Sequence, residues 1–140
     1  MYKKRIIDNY LDLITQVYNA INIIGPKGCG KTTTAKQRVK TTIEFQNEEE
    51  RENLLMIAST SPIQFLKNPK PILFDEWQDA PKIWGTIRKN CDDNPTDTGS
   101  YFLTGSSSKK VETPHTGTLR ISTVRMNPMS LYEKEKSNGE

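Results

Sequence analysis

AINIIGPKGCGKT, residues 20–32, decides how the rest of the chain is read. Its first five residues are a short, mostly apolar run that stops at Gly25. A run of that length, closed at once by a glycine-rich turn, reads as a buried strand. GPKGCGKT then fits the pattern G-x-x-x-x-G-K-[ST], and residues 31–40 read as a helix. Strand, glycine turn and helix in that order can aim successive backbone N–H groups at one point, at the positive end of a helix dipole. Such a loop holds a phosphate chain. Gly25, Pro26, Lys27, Gly28, Cys29, Gly30, Lys31, Thr32 and Thr33 are therefore the candidate nucleotide-binding residues. Lys31 brings a mobile positive charge for the β- and γ-phosphates, and the Thr32 hydroxyl suits Mg²⁺. The bland alternative is a chance match in a glycine-rich turn, and placement between strand and helix argues against it. Cys29 reads as a small spacer more readily than as a redox-sensitive thiol.

Working outward, apolar residues Ile6, Ile7, Tyr10, Leu11, Ile14, Val17 and Tyr18 recur at spacings of three and four, which predicts an amphipathic helix over 2–18. Residues 41–45 read as a second strand. Asn47 is placed to cap a helix that opens on EEE and runs through Leu54, Leu55 and Ile57. Pro62 opens a short helical turn. PILF, 71–74, is a third strand. Asp79 is placed to cap a helix with Pro81 in its first turn, running through Ile83, Trp84 and Ile87. Residues 101–103 are a fourth strand, 105–118 a loop, and 119–126 a fifth strand with Leu119, Ile121 and Thr123 on one face. Strands alternating with helices predict a parallel sheet covered on both faces.

Three further stretches carry chemistry. In PILFDEW an apolar strand runs into two acids. A carboxylate at that end of a central strand lies beside the phosphate loop, so Asp75 is the second metal ligand after Thr32, and Glu76 polarises the attacking water. A solvated surface charge is the plain alternative for Glu76. In YFLTGSS, a hydroxyl at the strand end, Thr104 or Ser106, reaches the γ-phosphate or the water. In HTGTLRI, Arg120 is either an arginine lent to a neighbouring copy's γ-phosphate or an ordinary surface residue. His115 reads as a loop residue with no catalytic task. Trp77, Trp84 and Tyr101 offer stacking faces for bases, but core positions explain them more simply. The pair Lys109 and Lys110 is a weak signal for DNA.

Bulk properties restrict the classes. At 140 residues the chain is one domain's length, read as a single domain over 1–140. Apolar residues at 34% are clustered, which suits a globular chain rather than a disordered one. A net charge of +3 permits contact with polyphosphates without arguing for nucleic acid. No run approaches the roughly 20 apolar residues that span a membrane, and MYKKRIIDNYLDL is broken by Asp8, Asn9 and Asp12, unlike a signal peptide. Two cysteines, Cys29 and Cys91, fit free thiols in a cytoplasmic protein. No N-K-x-D stretch is present to read guanine, which favours ATP over GTP, and no arginine-rich lid suggests a nucleotide kinase.

YLDLITQVYNAINIIGPKGCGKTTTAKQ, PILFDEWQDAPKIWGTIRK, SYFLTGSSS and VRMNPMSLYE together resemble the AAA-type ATPases of bacteria and archaea that carry a C-terminal domain of unknown function. The resemblance covers essentially the whole chain. It implies a three-layer αβα sandwich around a mostly parallel five-stranded sheet, of the additional-strand type of P-loop fold. It implies ATP and Mg²⁺ as ligands, with Lys31, Thr32, Asp75 and Glu76 in the roles given above, and a strand-end sensor within Leu103-Thr104-Gly105-Ser106. Assembly with further copies through Arg120 goes with the reading of that residue as a lent arginine. The chain departs from that family in two places. Leu119 stands where members usually have a glycine before the arginine, and glycine permits backbone angles that leucine resists. The family's C-terminal domain is also expected to be absent, since the residues given stop soon after SLYE. Two functions remain in view: an ATPase core, and a module that binds ATP and gates a DNA or protein partner with negligible turnover.

Overall fold

A computed structural model describes residues 6–107 and 120–127. Helix α1 (Ile6–Ile14) leads into β1 (Ala20–Gly25), α2 (Lys31–Lys36) and β2 (Thr41–Glu44). Helix α3 (Arg51–Thr60) and a 3₁₀ segment (Pro62–Lys67) precede β3 (Ile72–Asp75). A short 3₁₀ turn (Trp77–Asp79), α4 (Lys82–Asp93), β4 (Tyr101–Ser106) and β5 (Ile121–Arg125) complete it. The strands form one sheet in the order β2-β3-β4-β1-β5, and every pairing among them is parallel.

Side-chain alternation along the strands divides the core into two layers. Ala20, Ile72, Phe74, Tyr101, Leu103 and Ile121 face one side, under α3, the 3₁₀ segments and α4. Ile21, Ile23, Leu73, Phe102 and Val124 face the other, under α1 and α2. This is the α/β sandwich expected. On the first side Phe45, Phe65 and Phe74 pack edge and face, with ring centroids 5.9–6.5 Å apart. Trp77, Trp84 and Tyr101 are buried in the same layer, so they are core residues and offer no face for stacking bases. Among the described residues no helix is long and apolar enough to cross a membrane.

Several boundaries differ from expectation for local reasons. Strand β4 runs on through Gly105 and Ser106, which the sequence placed in a loop, because both pair with the end of β1. Asp79 does not cap α4: its carboxylate pairs with Arg51, and Pro81 holds the N-cap position. Asn47 caps a turn, accepting the Glu49 N–H at 3.1 Å, while α3 starts later with Glu50 at its N-cap. The expected positions of Lys109, Lys110, His115 and Leu119 lie outside the described residues, as do residues 2–5 of the first helix.

Helix α1 is locked to the end of α2 by charge. Arg38 pairs with buried Asp8 at 2.8 Å and with Asp12 at 2.9 Å, and donates to the carbonyls of Asp8 and Thr34. Removing one partner of a buried pair leaves the other charge desolvated, at a cost of about 3 kcal/mol. Asp8→Ala is therefore expected to lower unfolding stability by about that amount, checked by urea titration, whereas Asp12→Ala, at the exposed end, costs about 0.5 kcal/mol.

Candidate functional site

The phosphate-type loop joins β1 to α2 at the carboxyl end of the sheet. Gly28 and Gly30 take φ of 79° and 93°, left-handed values that only glycine adopts without strain. Gly25 is glycine for a different reason: a Cβ there would lie 2.2 Å from the Met126 carbonyl oxygen. The loop is fastened from both neighbouring strands. The Ser107 N–H donates to the Gly25 carbonyl at 3.0 Å, and the Met126 N–H to that of Ile24 at 2.7 Å. Lys31 is buried, and its ammonium donates to the Pro26 carbonyl at 3.1 Å. Cys29 is buried with the apolar layer under α2, which fits the spacer reading.

The acidic turn follows β3. One oxygen, Asp75 Oδ1, accepts the hydroxyls of both Thr32, at 2.6 Å, and Thr104, at 2.5 Å. The Thr104 oxygen in turn accepts the Glu76 N–H at 3.2 Å. Glu76 is nearly buried and has φ 57° and ψ 50°, a left-handed conformation uncommon outside glycine. Residues beyond it hold it there. The Trp77 indole N–H donates to Asn22 Oδ1 at 3.2 Å, and its ring lies 5.1 Å from that of Trp84. Gln78 Oε1 accepts the Ser106 N–H at 3.0 Å. That contact requires Gly105, whose Cβ would come within 2.9 Å of the Gln78 amide carbon.

Lys27, Gly28, Gly30, Lys31, Thr32, Thr33, Asp75 and Glu76 line one cleft of about 460 Å³, within the usual size of a small-molecule site. Gln46 lines it too, which the sequence did not indicate, because nothing in T-T-I-E-F-Q marks the sixth residue. Gly25, Pro26 and Cys29 shape the loop behind the cleft. Thr104 and Ser106 also stand behind it, and the Thr104 hydroxyl is engaged by Asp75 and Glu76. Thr32 and Asp75 set hard oxygen donors side by side at the cleft wall. That set fits Mg²⁺, which takes one or two protein oxygens and completes its shell with water and phosphate.

Arg120 is not brought to this cleft. Its carbonyl accepts the Asn19 N–H at 3.0 Å, at the opposite end of the strands. Six residue steps of roughly 3.3 Å along β1 separate it from Gly25, about 20 Å. At that end burial, with Asp92 beside it, pushes the Cys91 thiol up to about 12, and the Arg120 charge acts against this shift.

A family model described as an AAA domain matches residues 17–134. A search of curated proteins finds no match. Among solved structures the chain is similar to one described as the cytoplasmic domain of EssC, at 13% identity and a TM-score of 0.44. The match covers 90% of this chain and 36% of that one, so the chain spans about a third of that protein's length.

Removing the Thr104 hydroxyl leaves a buried N–H and one side of Asp75 unmet, a loss of about 1–3 kcal/mol. Thr104→Val is expected to unfold that much more easily in denaturant titration, and Thr104→Ser to recover most of the difference.

Proposed function

Because the chain belongs to the AAA domain family, a nucleotide-binding module of ATPase type, we propose that it binds Mg²⁺-ATP in the cleft between the 25–32 loop and the 75–76 turn and hydrolyses it. One observation carries the proposal. Lys31, Thr32, Asp75 and Glu76, from two separate stretches of sequence, line the same cleft. The loop N–H groups receive the phosphate oxygens. Lys31 exchanges the Pro26 carbonyl for the β- and γ-phosphates. Thr32 and Asp75 would hold Mg²⁺, which would supply positive charge to offset that of the phosphates. Glu76 orients a water for in-line attack and takes its proton. Thr104 and Ser106 act through the acid turn, as supports. Catalysis of this kind is chiefly positioning and electrostatic stabilisation. Free thiols at Cys29 and Cys91 suit a cytoplasmic setting.

Arg120 favours a second reading for a solitary copy. At the far end of the strands it can serve only another copy's cleft. An isolated chain would then bind ATP and turn it over negligibly, as a nucleotide-responsive module, until copies assemble. Turnover rising steeply with protein concentration supports the assembling ATPase. Binding without turnover at every concentration supports the module.

Thermal unfolding with Mg²⁺-ATP is the first test. At 100 times its Kd the ligand adds about 2.7 kcal/mol, a rise of several degrees, with no comparable rise for GTP. Lys31→Ala is expected to lose this shift while keeping its own unfolding temperature within about 3 °C. An undiminished ATP shift in that variant removes the loop from the proposal. Glu76→Gln is expected to keep the shift and lose at least 100-fold in turnover. Unchanged turnover removes Glu76 from the mechanism.

A further inference from the structure

Gln46 lies two residues past β2 and shares the cleft wall with Lys31, Thr32, Asp75 and Glu76. Its amide nitrogen donates to Asp79 Oδ2 at 3.2 Å. The same carboxylate oxygen is ion-paired with Arg51 at 3.0 Å. Arg51 also donates to the carbonyl of Phe45, the residue before Gln46, at 2.8 Å. An ionised carboxylate only accepts hydrogen bonds. The nitrogen of Gln46 must therefore face Asp79, and a flipped amide would set oxygen against oxygen. The carbonyl Oε1 is then the end of the amide turned away from Asp79, on a residue that lines the cleft.

An acceptor in that position selects its partner by chemistry. Phosphate oxygens accept, and so does the Glu76 carboxylate. The Thr32 hydroxyl is already given to Asp75, and the Lys27 and Lys31 ammonium groups, also in the cleft wall, are matched to phosphate, Lys31 resting on the Pro26 carbonyl. A water molecule beside the γ-phosphate has two hydrogens to give, and one directed at Glu76 leaves the other for a second acceptor. We propose that Gln46 is a positioning residue for the attacking water, with its amide held in register by Asp79 and Arg51. This rests on the ATPase reading above. The water gives one hydrogen to Glu76 and the other to Gln46 Oε1, which leaves a lone pair directed at the γ-phosphorus. Its oxygen bonds to that phosphorus as the bond to the leaving ADP oxygen breaks, and that oxygen keeps the electron pair. Glu76 takes the proton. Gln46 gains and loses none. A glutamine amide orients the attacking water in other phosphate-transferring proteins, so the chemistry asks nothing unusual of the side chain.

The test is single-turnover hydrolysis by the full chain at saturating Mg²⁺-ATP, at several protein concentrations, beside equilibrium binding of ATP and of ADP with aluminium fluoride. Gln46→Met keeps the reach and removes the acceptor. It is expected to slow the chemical step about 30-fold or more and leave the ATP Kd within about twofold. It should lose most of the aluminium fluoride affinity, which depends on the groups that hold the water. Asp79→Asn frees the amide to flip and is expected to give a smaller loss of rate, again with ATP binding kept. A Gln46→Met rate within twofold of wild type, with Glu76→Gln inactive, overturns this inference and leaves the ATPase reading standing. A tenfold weaker ATP Kd with an unchanged rate also overturns it, since the residue would then be holding nucleotide. Wild-type protein that binds ATP without hydrolysing it at any concentration overturns both.

Discussion

The geometry of the site hangs on one carboxylate oxygen. Asp75 Oδ1 receives a hydroxyl from the first turn of α2 and another from the middle of β4. Hydroxyl bonds to an ionised acceptor are short and about twice as strong as neutral ones. Two of them on one atom fix the helix that follows the phosphate-type loop, the strand that ends in the acids, and the strand between that one and β1. The relative placement of Thr32, Asp75 and Glu76 is thus set by covalent chain and hydroxyl length, before any ligand arrives.

The acid turn repeats this on a larger scale. The residues of DEWQD are fastened among them to four elements. Asp75 goes to α2 and β4, and the Glu76 N–H to Thr104. The Trp77 indole goes to β1, Gln78 to the end of β4, and Asp79 to Arg51 at the head of α3. That web explains how Glu76 stays in a left-handed backbone that would otherwise cost about 1–3 kcal/mol. A carboxylate side chain whose backbone is held in a disfavoured conformation by its neighbours is held in one place.

The sequence made the phosphate-type loop and the acid pair legible because each is local: an apolar run stopped by glycines, or by charge. Strand order was not written in any one stretch, and it follows from which strands the crossovers cover. Thr104 was visible as a hydroxyl at a strand end, but its service to Asp75 depends on β3 and β4 being adjacent. Gln46 left no trace, since its importance comes from Asp79, thirty-three residues on in sequence, turning the amide. The capping expected of Asp79 failed for the same reason: a distant arginine outbid the nearby N–H groups. Arg120 was legible as a residue of interest, and only the register of β5 against β1 shows that it stands at the far end from its own cleft.

The parallel strand order also has a bearing on how the chain is made. β1 carries the phosphate-type loop, yet its two neighbours are β4 and β5, so Ala20 faces Tyr101 and Ile121. Partners about eighty and a hundred residues downstream give contacts of high sequence separation, which form late. During synthesis the strand emerges early and stays one-sided until nearly the whole domain has left the ribosome. The segment that would seize nucleotide is thereby among the last to be enclosed, and an unfinished chain cannot present a completed site.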